Sequence, residues 1–450
     1  MATAVSSSSA TKLTDLPLAT LSRIAFLVGD IFVPHDITDQ CNLPLIQPLR
    51  ATCRLLREAT GLAIGALWLN YSEDTGLRIK STEDPQHGHS MTIPLDLVLS
   101  LPCLYELIVF GESLPQSFAK TLEVIPGLKR IDLTDTSENS TIRFRAFKSA
   151  STVETLCIWD FGKQAIKDLF SFRYDRLTDL TLGELEHVPV IPQRVLASIK
   201  SVSLSRPKCS DVDLRKFFES LTKGQTLQSL KIWNCTLEGM DLLHADVRFA
   251  SLTKLSVSSI SEFTWRSAEH PIWLTEALRK GRFPCLQELE FNLQGRYIGT
   301  SASYLPKFEP ALAALEPTLR KLTLFTTMLL TEKDISLFRR LQSSRAFELH
   351  ITMEYERNKN QITQQDTLSM RLFTDLSSLT SIGFCGYAIE NVDELIPFPN
   401  LKEVSFTKCR FRENEALKLK NSRGSIEKIT FSSCEALREN VVWDGTVTRR

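Results

Sequence analysis

The 450-residue chain lacks an excess of charge of either sign, with 53 Lys plus Arg against 53 Asp plus Glu. That balance gives no whole-protein field to concentrate nucleic acid or an anionic membrane, so neither is an expected partner. Long apolar runs are missing as well: no stretch approaches the ~20 residues that span a bilayer. The opening MATAVSSSSATK has neither the basic start nor the apolar run of a signal peptide and reads as a flexible tail over residues 1–12. The expected location is therefore cytoplasmic or nuclear. The ten cysteines include no C-x-x-C pair, and in a reducing compartment they are expected to be buried thiols behaving as small hydrophobes. The sequons at Asn70, Asn139 and Asn234 carry no weight without secretion. No G-x-S-x-G elbow, H-E-x-x-H pair or phosphate-binding loop occurs, so no catalytic residues are assigned and a non-enzyme is expected. His87 and His89 stand in the polar stretch STEDPQHGHS without a nearby cysteine. A closed metal site needs three or four ligands, so no metal and no cofactor are expected.

A chain of this length exceeds what one compact core supports and calls for several domains or a repeat array. From Leu104 onward one pattern recurs thirteen times: apolar, two variable residues, apolar, one variable, apolar. It begins at Leu104 (LYELIV), Leu128, Val153, Leu177, Ile199, Leu227, Leu252, Leu286, Leu319, Ala346, Leu379, Leu401 and Ile426 (IEKITF). The first spacings are 24, 25, 24 and 22 residues, within the range of leucine-rich repeats, and three units end in cysteine at Cys235, Cys409 and Cys434 as that consensus allows. The second and third apolar residues are two apart, so they share one side of a short strand and point inward. The residues between and after them face the concave surface. No unit buries its apolar side alone, so neighbours must stack.

Helical stretches alternate with these strands. SDVDLRKFFESLTKG starts with a capping serine and stops at glycine, and TEKDISLFRRLQSS opens with a capping-box pair, Thr331 and Asp334. LPQSFAKTLEVIPG and DTLSMRLFTDL read as helices too. Two long insertions, before the eighth and the eleventh repeat, read as overhanging loops. The predicted fold is α/β: a leucine-rich-repeat solenoid, a horseshoe with a parallel sheet and outer helices, spanning 95–443. A linker at 72–94 precedes it and a solvated tail at 444–450 follows.

Residues 13–71 do not repeat. Leu18, Leu21, Ala25 and Val28 recur at helical spacing behind Thr14 and Asp15, with Pro17 in the first turn. Leu45, Leu49, Cys53 and Leu56 make a second stripe, and Leu62, Leu67 and Trp68 a third apolar group. This small all-α head resembles an F-box. The residues that carry the resemblance are Leu16–Pro17, Leu21 with Ile24, the block LRATCRLLRE from Leu49, and the closing Leu67–Trp68. Ala19, where that family usually has Glu, and the long excursion after Gly29 depart from the pattern. An F-box ahead of leucine-rich repeats resembles the substrate receptors of SCF-type ubiquitin ligases. The resemblance implies that Leu16, Pro17, Leu21, Ile24, Leu45, Leu49 and Cys53 dock on the Skp adaptor, and through it on a cullin–RING ligase. The repeats would then hold a protein substrate. The other reading of the same stripe is internal core or packing against the first repeat, making the chain a stand-alone repeat scaffold with an N-terminal cap.

Phe110, Trp159, Trp233 and Phe325 occupy the position just after a strand motif. Aromatics there suit substrate binding on the concave face, or else tuck under neighbouring loops as satellite core. Trp159 and Trp233 are three repeats apart, ~14 Å at ~4.8 Å per strand, a span one extended peptide bridges.

Overall fold

The computed structural model describes residues 66–72, 76–79, 104–136, 142–233, 247–258, 272–292, 309–326, 330–339, 347–353, 367–411, 415–421, 425–436 and 442–448. The chain divides into two units, residues 1–199 and 200–450. The expected adaptor-binding residues Leu16, Pro17, Leu21, Ile24, Leu45, Leu49 and Cys53 lie outside the described residues, as do His87 and His89.

In the first unit the strands are β1 (Ala66–Ser72), β2 (Gly76–Ile79), β3 (Glu106–Gly111), β4 (Arg130–Asp135), β5 (Thr155–Trp159) and β6 (Asp179–Gly183). β1, β3, β4, β5 and β6 pair in that order, all parallel and without a register shift, and β2 lies antiparallel on β1. Helices α1 (Gln116–Val124), α2 (Lys163–Ser171) and the short α3 (Gln193–Leu196) fill the connections. The inward residues Leu107, Val109, Ile131, Leu133, Leu156, Ile158, Leu180 and Leu182 are at most 1 % exposed. They meet the apolar stripes of the helices, such as Phe118 and Leu122 of α1 and Ile166 and Leu169 of α2, all buried.

The second unit repeats the scheme. Its elements are β7 (Ser201–Ser205), α4 (Asp211–Thr222), β8 (Ser229–Trp233), β9 (Lys254–Ser258), α5 (Ile272–Arg279), β10 (Glu288–Asn292), α6 (Glu309–Leu315), β11 (Lys321–Thr326), α7 (Glu332–Phe338), β12 (Phe347–Met353), β13 (Thr367–Ser369), β14 (Leu379–Cys385), β15 (Ala388–Glu390), β16 (Glu403–Thr407), β17 (Arg410–Phe411), α8 (Glu415–Asn421), β18 (Lys428–Ala436) and β19 (Val442–Thr448). The main ladder is parallel from β7 through β12, then β14, β16 and β18. The short β13, β15 and β17 form a second parallel ribbon. Each of the thirteen sequence motifs lies on a strand of these two ladders, and both units are leucine-rich-repeat-type stacks.

Three devices recur because each repeat must meet the next in the same way. At most steps of the stack, one carbonyl at the start of a strand accepts two N–H groups of the following repeat. Tyr105 O takes Lys129 N and Arg130 N, Lys129 O takes Glu154 N and Thr155 N, and Gln228 O takes Thr253 N and Lys254 N. Just after the strand, the chain turns through a left-handed residue: Asp160, Glu184, Arg206, Gly386, Lys408 and Ser433 all have positive φ. The N–H groups of Asp160, Arg206, Gly386 and Lys408 donate to the last open-face residue of the next strand, which extends the ladder by one bond. At the consensus cysteine position, the Cys409 thiol donates to Phe384 O at 3.4 Å and the Cys434 thiol to Phe406 O at 3.3 Å. Both thiols are buried, and burial pushes the Cys409 thiol well above its usual range.

The expected helix starts are present: Ser210 Oγ accepts from Asp213 N at 3.3 Å, and Thr331 and Asp334 form a reciprocal capping box. Three expectations are corrected. Residues 66–72, assigned to the helical head up to 71 and closing it at Leu67–Trp68, form a strand in register with β3 (Leu67 opposite Leu107, Leu69 opposite Val109). IGALWL, Ile64 to Leu69, matches the repeat motif; it is a fourteenth copy, and among the described residues the array reaches back into the expected head, ahead of residue 95. At the other end, most of the expected tail at 444–450 belongs to a strand: 442–448 pairs antiparallel with β18, whose outer edge would otherwise leave its backbone groups unpaired. Finally, DTLSMRLFTDL forms β13 and a 3₁₀ turn at Met370–Phe373 rather than an α-helix.

Near the C-terminal end of the second ladder, phenylalanine takes the third inward position. Phe384, Phe406 and Phe431 stack at 5.9 and 5.7 Å between centroids, with Phe411 edge-on to the last two. Phe406, fully buried at the centre of this column, is the residue to test. Phe406→Ala is expected to lower stability by about 3–5 kcal/mol and Phe406→Leu by less than about 1.5 kcal/mol, read from denaturant unfolding.

Candidate binding surface on the open sheet face

Because the parallel strands pair in matched register, apart from one shift at the start of the β12–β14 pair, the residues that alternate with the inward ladder line up in rows across the open face. In the first unit one row runs Glu106, Arg130, Thr155, Asp179; the next Ile108, Asp132, Cys157, Thr181; the third Phe110, Thr134, Trp159, Gly183. Phe110 and Trp159, both half-buried, share the third row with Thr134 between them, about 9.6 Å apart at two strand spacings. The indole of Trp159 lies across Gly183: a Cβ on that glycine would fall inside ring atoms Cε3 and Cζ3.

Behind the indole stands Asp132. Its Oδ1 is buried without a hydrogen-bond partner among the described residues. Burial pushes its pKa up to about 6, against the pull of Arg130 and of the indole N–H of Trp159, and the Glu106 charge adds to the rise. The Arg130 guanidinium reaches Glu106 at 3.5 Å. Cys157, next in the row, is pushed up to about 11, chiefly by burial and then by Asp132. At neutral pH it is a thiol and no nucleophile.

The second unit carries a charge ladder in its first row. Lys254 pairs with Glu288 at 3.2 Å, Lys321 with Glu348 at 3.6 Å, and Lys428 with Glu403 at 3.8 Å. These pairs are exposed and contribute little stability, but they cancel one another's field. In the second row the His350 ring occupies the space above Gly383, where a Cβ would meet Nδ1 of the imidazole and would lie 2.8 Å from Ser405 Oγ. Burial and then Lys321 hold this histidine below its usual pKa, against Glu348 and Glu403. In the third row Trp233 is 38 % exposed between Ser205 and Ser258, with Lys231 Nζ 4.0 Å from its ring centroid. Phe325, half-buried, is three strands further on.

All four expected aromatics therefore sit on the open face, Phe110 with Trp159 in one unit and Trp233 with Phe325 in the other. Asp132, Lys231, His350 and Gly383 were not among the expected site residues. Each holds the variable position between the two inward residues of its motif, so the pattern marks it as open-face. Among the described residues no cluster of three His, Cys, Asp or Glu side chains is placed to hold a metal, and no helix is long and apolar enough to cross a membrane.

No known family model matches the chain, and no curated protein does. Among solved structures, an internalin (InlF) from Listeria monocytogenes aligns over 94 % of this chain and 94 % of its own, at 11 % identity and a TM-score of 0.27. A likeness that low carries no argument. The assignment to a leucine-rich-repeat type rests on the motif, its spacing and the parallel ladders.

Two outcomes are expected. The unfolded Asp132 carboxyl loses its proton near pH 4 and the folded one near pH 6, so the unfolded chain binds fewer protons in that window. Its contribution to stability falls as pH rises from about 4 to about 6. Asp132→Asn removes the fall. Its stability advantage over wild type should grow from none near pH 4 to the order of 1 kcal/mol above pH 6, the partial exposure of the group being allowed for; thermal midpoints across that range measure it. Gly183→Ala should displace the indole and cost about 1–3 kcal/mol. The shift shows in the Trp159 indole NMR signal, assigned with Trp159→Phe.

Proposed function

We propose that the chain is a non-catalytic protein-binding scaffold whose open sheet faces grip a protein target. The observation that carries this reading is Trp233, a large aromatic standing 38 % exposed between two serines. An indole that stays this exposed with only the Lys231 ammonium over its ring is the kind of group that dominates protein interfaces. The same arrangement in the first unit pairs Trp159 with Phe110 in one row.

The finer form of the proposal is a substrate receptor of an SCF-type ubiquitin ligase. Residues 13–65 would dock on the Skp adaptor through Leu16, Pro17, Leu21, Ile24, Leu45, Leu49 and Cys53, and through it on a cullin–RING ligase in the cytoplasm or nucleus. The target on the open face would then be ubiquitinated by other subunits. What supports it is the F-box-like motif directly ahead of a repeat array. The alternative is a scaffold with the head as a cap. Affinity purification with mass spectrometry separates the two. Trp159→Ala with Trp233→Ala should cut target recovery at least about tenfold, the loss that removing hot-spot aromatics brings, and leave the adaptor bound. Alanine at Leu16, Pro17 and Ile24 should do the reverse. Equal adaptor recovery with and without those three residues would leave the cap.

A further inference from the structure

On the open face of the second unit the charges of the first row are paired Lys to Glu, while Lys231 and Glu290 of the second row make no ion pair among the described residues. On β7, β8 and β9 most open-face positions are serine. Lys231 stands between Ser203 and Ser256, and Trp233 between Ser205 and Ser258. Lys254 is already paired with Glu288. Lys231 has no carboxylate in ion-pairing reach among the described residues; its contact is the Trp233 ring. Beside it Ser256 is 2 % exposed, and its Oγ has no hydrogen-bond partner among the described residues. The Ser256 hydroxyl is sealed from the face, whereas an ammonium whose one contact among the described residues is a ring can still take a carboxylate. Glu290 follows Ser256 in the same row, about 9.6 Å from Lys231 at two strand spacings. It repels a second anion there, so a single negative group is seated, on the β7–β8 side.

We propose that Lys231 and Trp233 form a docking site for an extended segment of a partner protein that carries one Asp or Glu beside an apolar residue. The carboxylate pairs with Lys231, and the apolar neighbour lies on the indole. The cation–π contact holds the ammonium above the sheet before binding, so little side-chain freedom is lost when the partner arrives. This inference rests on the protein-binding reading and adds the chemistry of the partner.

The test pans phage-displayed random dodecapeptides on the full-length chain, then measures binding of a synthetic consensus peptide and its Glu-to-Gln twin. Lys231→Met keeps the apolar stem on the open face and leaves the inward ladder untouched. Wild type is expected to enrich peptides with one acidic residue next to an apolar one. The Gln twin should bind about tenfold more weakly, and the difference should vanish on Lys231→Met. An enriched set without acidic residues, or a Glu/Gln difference that survives Lys231→Met, overturns the proposal. If such peptides are still lost on Trp233→Ala, the binding reading stands without it. A phosphoserine twin that binds more tightly than the Glu peptide overturns the choice of a carboxylate. Failure to enrich any peptide that depends on Trp159 or Trp233 overturns both readings.

Discussion

Everything in this molecule depends on one constraint: the apolar side of each strand is covered only when the next strand lies beside it in the same register. A single repeat has two inward residues on its strand and a few on its helix, too few to bury themselves. The carbonyl that receives two N–H groups from the next repeat fixes where that repeat begins, and the left-handed residue after the strand fixes where it ends. Between those points the register has no freedom, so the inward ladder is continuous at close to zero exposure. The rows on the open face follow from the same constraint. Residues from repeats two dozen positions apart in sequence become neighbours, and charges, rings and hydroxyls fall into lines.

Within that frame the two units fill their interiors differently. The first relies on leucine and isoleucine, with Ser149 stapling two repeats together: its Oγ accepts from Leu128 N and donates to Ile125 O. Asp168 ties α2 to the segment before the third motif. It takes Arg143 Nε at 2.7 Å and Phe144 N at 3.2 Å, bonds that outweigh burial and hold its carboxyl below the usual range. The second unit ends in the stacked phenylalanines and in buried thiols that replace the asparagine of the common repeat pattern. Its Glu415, nearly buried at the start of α8, accepts from Val392 N at 2.8 Å and so satisfies a helix start in the preceding repeat.

How much of this was legible beforehand follows from what each feature depends on. The thirteen strands were legible because apolar residues two apart within a recurring frame have one cheap explanation. So were α4 and α7, whose caps are local. The first strand was not legible because Leu67 and Trp68 fit the closing pair of the head and the repeat motif equally well. The last strand was missed because VWDGTVT is half polar and owes its conformation to the edge it covers. On the open face the four aromatics were found from position alone. The environment of Asp132 and the seats of Trp159 and His350 were not, since each is set by a residue in another repeat that only pairing brings near.

The two glycine seats bear on how such an array avoids folding wrongly. Strands that share one motif are near-interchangeable as hydrogen-bonding partners, so a repeat protein risks pairing strand n with strand n + 2, or slipping by a pleat. Trp159 needs a partner with no side chain opposite it, and β6 presents Gly183 there; His350 makes the same demand, and β14 presents Gly383. A strand carrying any larger residue at that point collides with the ring. Each pair of ring and glycine therefore identifies its correct neighbour among look-alikes, one in each unit. Such keys favour one assembled order over its near-degenerate competitors.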